Sequence, residues 1–182
     1  MRVIAGTLKG RRLDGPKWDG LRPTSDALRE TLFNVLGARV VGARVLDGYA
    51  GTGALGIEAL SRGAAHVTFV DADRRATALI GRNLARCGVT DGCTIVTARI
   101  EAGPRAPHGG VFDVILLDPP YAPAPIGEAA LGAMGEWLSP GGVLVLEHAA
   151  RSAPPPRAGK LALGRRLTAG DSALAFYSPG PS

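Results

Sequence analysis

A chain of 182 residues with 46% hydrophobic and 5% aromatic side chains has room for one globular domain and a substantial core. Its 26 glycines and 14 prolines fall at the ends of apolar runs rather than in a tract, and no stretch reaches the roughly 18 apolar residues of a membrane span, which excludes fibrous and membrane-spanning chains. The formal charge of +5 is uneven: residues 1–46 hold nine Lys and Arg against four acids, and the other 136 residues are electrically balanced, so a basic arm suited to a polyanion precedes a neutral body.

In chain order, the amino end turns basic before any apolar run reaches signal-peptide length, so a soluble cytoplasmic protein is expected. Pro23-Thr24-Ser25-Asp26 reads as a helix start, and Leu28, Leu32, Val35 and Leu36 recur at helical spacing. Val45-Leu46 leads into a glycine loop, Leu55 to Arg62 reads as a helix ended by Gly63, and His66 to Asp71 as a strand. Asp73 caps a helix whose stripe is Ala76, Leu79, Ile80, Leu84 and Cys87 before Gly88, and Thr94 to Thr97 is the next strand. Val111 to Leu117, apolar except for Asp113, has the composition of a central parallel strand buried on both faces. Ile126 to Leu138 reads as a helix, Ser139 to Gly142 as a turn and Val143 to Leu146 as a fifth strand. Ala153 to Gly159 is a Pro-rich connection, and Lys160 to Leu163 and Ser172 to Tyr177 are short strands that pair at the sheet edge. The alternation specifies an α/β fold with a mostly parallel, doubly wound, Rossmann-like sheet and an antiparallel carboxyl-terminal edge. The expected division is a basic extension and helix over 1–40, a catalytic domain over 41–178 and a frayed tail over 179–182.

Three constellations carry chemistry. Gly51-Thr52-Gly53-Ala54-Leu55-Gly56 fits G-x-G-x-x-G between a strand and a helix, and Asp71 follows twenty residues after Gly51, where its carboxylate can accept both hydroxyls of a ribose. Asp47, at the carboxyl end of the first strand, selects the cofactor: it repels a dinucleotide pyrophosphate and attracts the ammonium group of S-adenosylmethionine. Asp118-Pro119-Pro120-Tyr121 ends the fourth strand at the edge where such sheets bind ligands. The lone pair of an exocyclic amine is delocalised into its base, so it attacks a methyl donor only when acceptors hold its N–H groups. The Asp118 side chain and the Pro119 carbonyl supply two acceptors, Pro120 stiffens the turn, and Tyr121 offers a face for stacking. Cys87 and Cys93 make no disulfide framework, and with three scattered histidines they fall short of the about four ligands of a zinc site, so no metal is expected.

Arg2 to Gly6, Gly10 to Leu13, Leu21 to Asp26, Arg29 to Asn34, Leu46 to Ala64 and Asp118 to Tyr121 together resemble the RsmD-type methyltransferases, with a looser echo in Gly170-Asp171-Ser172 and Phe176-Tyr177. That resemblance implies a class I S-adenosylmethionine-dependent enzyme methylating the exocyclic N2 of a guanine in 16S ribosomal RNA. It further implies a substrate within a small-subunit particle, no membrane partner and a monomer. Carried onto this chain, it places Asp47, Tyr49, Gly51, Gly53, Asp71 and Ala72 at the cofactor and Asp118 to Tyr121 at the target amine. Lys9, Arg11, Arg12, Arg22 and Arg29 fall to RNA. One departure is Thr97-Ala98-Arg99-Ile100, where related enzymes often carry an acid for the adenine amino group; here backbone or apolar contacts are expected instead.

Other readings stand beside this one. Amino-methyltransferases acting on adenine or cytosine in DNA, or on a protein glutamine, use a related turn, although a DNA enzyme usually needs a larger recognition region than the 46 residues preceding Asp47. An NAD-dependent oxidoreductase would need a catalytic His, Tyr or Lys in a substrate region, and His66, His108 and His148 have no motif around them. A catalytically silent RNA-binding module would keep the fold alone.

Overall fold

The computed structural model describes residues 1–16, 18, 25–102, 106–107, 110–120 and 126–180. The strands β1 (Arg44–Gly48), β2 (His66–Asp71), β3 (Cys93–Thr97), β4 (Phe112–Leu117), β5 (Leu138–Ala149), β6 (Arg157–Ala158), β7 (Leu161–Ala169) and β8 (Ser172–Pro179) form one sheet. Their order is β3-β2-β1-β4-β5-β8-β7-β6. The first five are parallel and the last three antiparallel, which is the expected fold class. From β1 the chain winds outward through β2 and β3, then returns to place β4 on the other side of β1. This reversal opens a crevice above the carboxyl ends of β1 and β4, the usual ligand position in such sheets.

Helices α1 (Asp26–Leu36), α2 (Ala54–Ser61) and α3 (Arg74–Cys87) cover one face, and α4 (Glu128–Gly135) covers the other. Ser25 Oγ caps α1 by accepting from Leu28 N. Asp73 caps α3 by accepting from Arg75 N, and Gly88, at φ +77°, ends it. In β4, Val114 and Leu116 pack against the first layer while Ile115 and Leu117 pack against the second, as expected of a strand buried on both faces.

The carboxyl-terminal third differs in detail from the sequence expectation. α4 ends at Gly135, because Glu136 and Trp137 turn out of it through tight bonds to the carbonyls of Ala133 and Met134. Ser139 to Gly142 is a bulge within β5: Leu138 pairs with Phe112 and Val143 with Val114, so the intervening residues loop out of one continuous strand. The Pro-rich connection contains the two-residue β6, and β7 runs on to Ala169 through Arg165 and Arg166, whose charges hide the strand from an apolar pattern. β8 includes Pro179, and Gly180 N donates to Lys160 O.

The basic arm is docked on the body. Arg2 and Arg12 form an antiparallel bridge, with Val3 N donating to Arg11 O and Leu13 N to Met1 O. Val3 and Leu13 are buried in the first core layer, where each such side chain contributes about 1.5–3 kcal/mol. The fully buried Glu58 of α2 accepts from Ile4 N at 2.7 Å and Ala5 N at 3.0 Å, and Ser61 Oγ accepts from Leu8 N. Asn83 of α3 completes the attachment: its Oδ1 accepts from Asp14 N, and its Nδ2 donates to Asp14 O.

Candidate active site

The loop between β1 and α2 lies at the crevice. Ala50 N donates to Val70 O and Gly53 N to Ala50 O, folding the loop tightly over the strand ends. Gly51 and Gly53 have φ of +55° and +78°, conformations open to glycine at no steric cost. Gly56 serves packing: a Cβ there would lie 2.2 Å from Phe69 Cε1, so only glycine lets α2 settle on β2.

Two carboxylates hold this loop. Asp71, ending β2, accepts from Gly51 N through Oδ2 and from Asp73 N through Oδ1, both at 2.8 Å. Each oxygen retains acceptor capacity, since an ionised carboxylate has about four lone-pair sites. Asp47 is buried, with Oδ2 accepting from Gly56 N at 2.8 Å, and thereby caps the first turn of α2, whose N-cap Gly53 has no side chain to do so. Burial pushes the Asp47 carboxyl well above the usual carboxylate range; the Gly56 N–H opposes this, and the charges of Asp118 and Asp71 raise it further.

Asp118 is half-buried, Pro119 buried and Pro120 exposed, and Asp118 N lies 3.4 Å from Gly48 O across the switch in strand order. Strand alternation puts Asp71, Asp47 and Glu147 on the face shared with α1 to α3, and Asp118 continues that face beyond β4. Carboxylates from four neighbouring strands therefore border the crevice, which favours a ligand carrying positive charge. Among the described residues, no three His, Cys, Asp or Glu converge to hold a metal.

Tyr49 is the one described non-glycine residue at positive φ, +60°, a conformation that costs of order 1–3 kcal/mol and persists where the surrounding structure offsets it. Its hydroxyl donates to Glu101 Oε1. Burial, and then this carboxylate, push the Tyr49 phenol far above its ordinary pKa, so it stays a donor. Glu101 lies on a 3-10 turn, Ile100–Ala102, and Ile100 packs beneath the loop, in the space a Cβ on Gly48 would occupy. Glu101 is thus an acid at the crevice that no motif in the sequence marks. It stands two residues after Arg99, and only the tertiary fold brings it to Tyr49.

Of the remaining expected residues, Ala72 is exposed beside Asp71, and Lys9, Arg11 and Arg12 are all exposed on the arm. Arg29 is a correction: it is fully buried, and its Nη2 donates to Arg2 O and Asp26 Oδ1, so it fastens the arm to α1 from inside and cannot reach a phosphate. Arg22 and Tyr121 lie outside the described residues. Cys87 is buried and Cys93 half-buried, and burial pushes both thiols up, away from the reactive thiolate.

A family model described as "Conserved hypothetical protein 95" matches residues 1–178. The ribosomal RNA small subunit methyltransferase D of Escherichia coli (strain K12) is 34% identical over 178 residues, covering 97% of this chain and 89% of that protein. Its namesake in Haemophilus influenzae is 36% identical over 151 residues, covering 81% and 78%. A solved structure from Escherichia coli, described as the candidate methyltransferase yhhF, superposes with a TM-score of 0.82 at 33% identity, covering 97% of this chain and 96% of that one.

Proposed function

Because this chain belongs to the RsmD-type family of ribosomal RNA methyltransferases and has the class I S-adenosylmethionine-dependent fold, we propose that it methylates the exocyclic N2 of a guanine in 16S ribosomal RNA. The observation that carries the reading is the placement of Asp47 and Asp118 at the ends of the neighbouring strands β1 and β4, on either side of the switch in strand order, where burial first and the charge of Asp118 after it raise the Asp47 carboxyl and a cation would relieve it. A dinucleotide pyrophosphate would meet repulsion at the same place.

S-adenosyl-L-methionine supplies, when bound, an electrophilic methyl group on a sulfonium centre. Asp47 would pair with its ammonium group, Gly51 and Gly53 would let backbone approach it, Asp71 and Ala72 would hold the ribose, and Tyr49 with Glu101 would hold the adenosine. Asp118 and the Pro119 carbonyl accept the N–H groups of the target amine, which frees the nitrogen lone pair for in-line attack. Pro120 holds the turn and Tyr121 stacks the base. On methyl transfer the target nitrogen would lose a proton, for which the half-buried Asp118 carboxylate offers a path to solvent.

The choice of guanine rests on the amino-terminal motifs, and the phosphate-bearing substrate on the charge of residues 1–40, proposed as the RNA-contacting extension of a catalytic domain over 41–178. A base inside a duplex cannot present its amine to the donor, so the target is in a loop or flipped out, within a small-subunit particle met by a monomer. The test is to incubate the enzyme with unmodified small-subunit particles, naked 16S RNA and DNA, and to identify the methylated nucleoside by mass spectrometry. N2-methylguanosine from the ribosomal RNA is expected; N6-methyladenosine, or methylation confined to DNA or protein, overturns the substrate.

A further inference from the structure

Arg75, Arg82 and Arg86 recur along α3 at intervals of seven and four residues, which at 3.6 residues per turn keeps them within about 20° of a common line over about 16 Å of helix. All three are exposed, along the flank of the stripe that buries Leu79, Asn83 and Cys87. The amino-terminal arm runs along this same flank. Asn83 grips Asp14 through both backbone atoms, Arg86 Nη1 donates to Asp14 Oδ1 at 2.8 Å, and the Arg75 guanidinium lies over the Trp18 ring at 5.1 Å. Val3 and Leu13 of the arm share one buried core with Leu84 and Cys87 in the last turns of α3.

The arm and α3 therefore present their charges on one surface, fixed by buried polar anchors. Two carboxylates interrupt it: Asp14 on Arg86 and Asp73 on Arg75. Both pairs are solvent-exposed, and pairs of that kind are weak enough to exchange for a phosphate. Arg82, between them, has no acidic partner among the described residues. At one end of the line, α3 begins beside Asp71 at the crevice; at the other it meets the hairpin.

We propose that the outer flank of α3 is part of the RNA-binding surface, a band from Arg11 and Arg12 through Arg86 and Arg82 to Arg75 that takes the phosphates of the strand flanking the target nucleotide. Trp18, backed by the Arg75 guanidinium, stacks a base of that strand at the crevice end. Guanidinium groups about two turns and one turn apart along α3 suit phosphates of one backbone, and they position the strand without reading its sequence. This inference rests on the RNA reading of the active site.

Its test is titration of a labelled 16S RNA transcript at several salt concentrations against the wild type, Arg82→Ala, Arg82→Glu, Trp18→Ala and the arm variant Lys9→Ala/Arg11→Ala/Arg12→Ala. S-adenosylmethionine affinity is followed in each by calorimetry. Arg82→Ala should flatten the salt dependence by about 0.7–0.9 log unit, the share of a single phosphate, and Arg82→Glu should weaken binding by about tenfold or more. Trp18→Ala should keep the slope and lose about fivefold or more in affinity. Cofactor affinity should not move. Weaker binding by the arm variant with wild-type slopes in both Arg82 variants overturns the α3 band while leaving the RNA reading intact. A wild-type protein without salt-dependent RNA binding overturns the RNA reading, and the band with it.

Discussion

Asp47 caps α2 with one oxygen while sitting buried among other carboxylates, so its ionisation is opposed until a cation arrives. Its folded pKa lies above the unfolded value, so between the two the folded state holds more protons and stability falls as pH rises through that window. Asp47→Asn keeps an oxygen for the Gly56 N–H but removes the charge. The variant should melt higher than wild type at neutral pH without ligand, calorimetry should find it without the downward stability slope expected of wild type above pH 4, and it should bind S-adenosylmethionine about tenfold or more weakly, for the about 1.5–3 kcal/mol of a missing bond to a charged group. Tyr49→Phe removes the hydroxyl that holds Glu101; a stability loss of about 0.5–1.5 kcal/mol in urea titration and a raised KM for cofactor with kcat retained are expected. The spacing of Gly51, Gly53, Gly56 and Asp71 is local enough to be read directly, because turn, helix start and strand end follow one another within about twenty residues. Glu101 is 52 positions from Tyr49 and no local pattern joins them. Arg29 shows the converse, since a formal charge count cannot tell a guanidinium aimed at solvent from one enclosed by a carbonyl and a carboxylate.

Among the elements, the helices with capping residues and glycine stops are legible in the sequence to within a residue or two, α1 and α3 above all, because their boundary signals are chemical and local. The carboxyl-terminal strands run past their apolar pattern because edge strands carry charge on their open face: Arg165 and Arg166 belong to β7, paired with Phe176 and Ala175. The docking of the arm is not legible at all. It depends on Glu58, an acid inside an otherwise apolar helix, which binds two backbone N–H groups of the arm and Arg62 Nε. Replacing it with Gln turns an N–H toward an N–H at one of those bonds. Glu58→Gln should destabilise the fold by about 1–3 kcal/mol, and hydrogen exchange should accelerate first at the Ile4 and Ala5 amides. Equal protection there in both proteins would remove Glu58 from that role.

Over the whole molecule, the arm and the glycine loop are tied through Asn83, beside a weaker bond from the Thr52 hydroxyl to Met1 Sδ. The buried Asn83 amide that grips Asp14 also donates from Nδ2 to Thr52 O, at 2.9 Å, inside the loop. A ligand that tightened the loop would tighten the arm's attachment through this bond, and thermodynamic linkage would make the effect reciprocal: whatever factor bound S-adenosylmethionine adds to RNA affinity, bound RNA must add to the affinity for S-adenosylmethionine. Titrations of each ligand with and without the other should return one shared factor, and Asn83→Ser, which cuts the grip on Asp14 together with the bond to Thr52 O, should bring it toward unity while also weakening RNA binding itself. With a shared factor above one, the enzyme would hold its methyl donor most firmly when the nucleic acid is already seated.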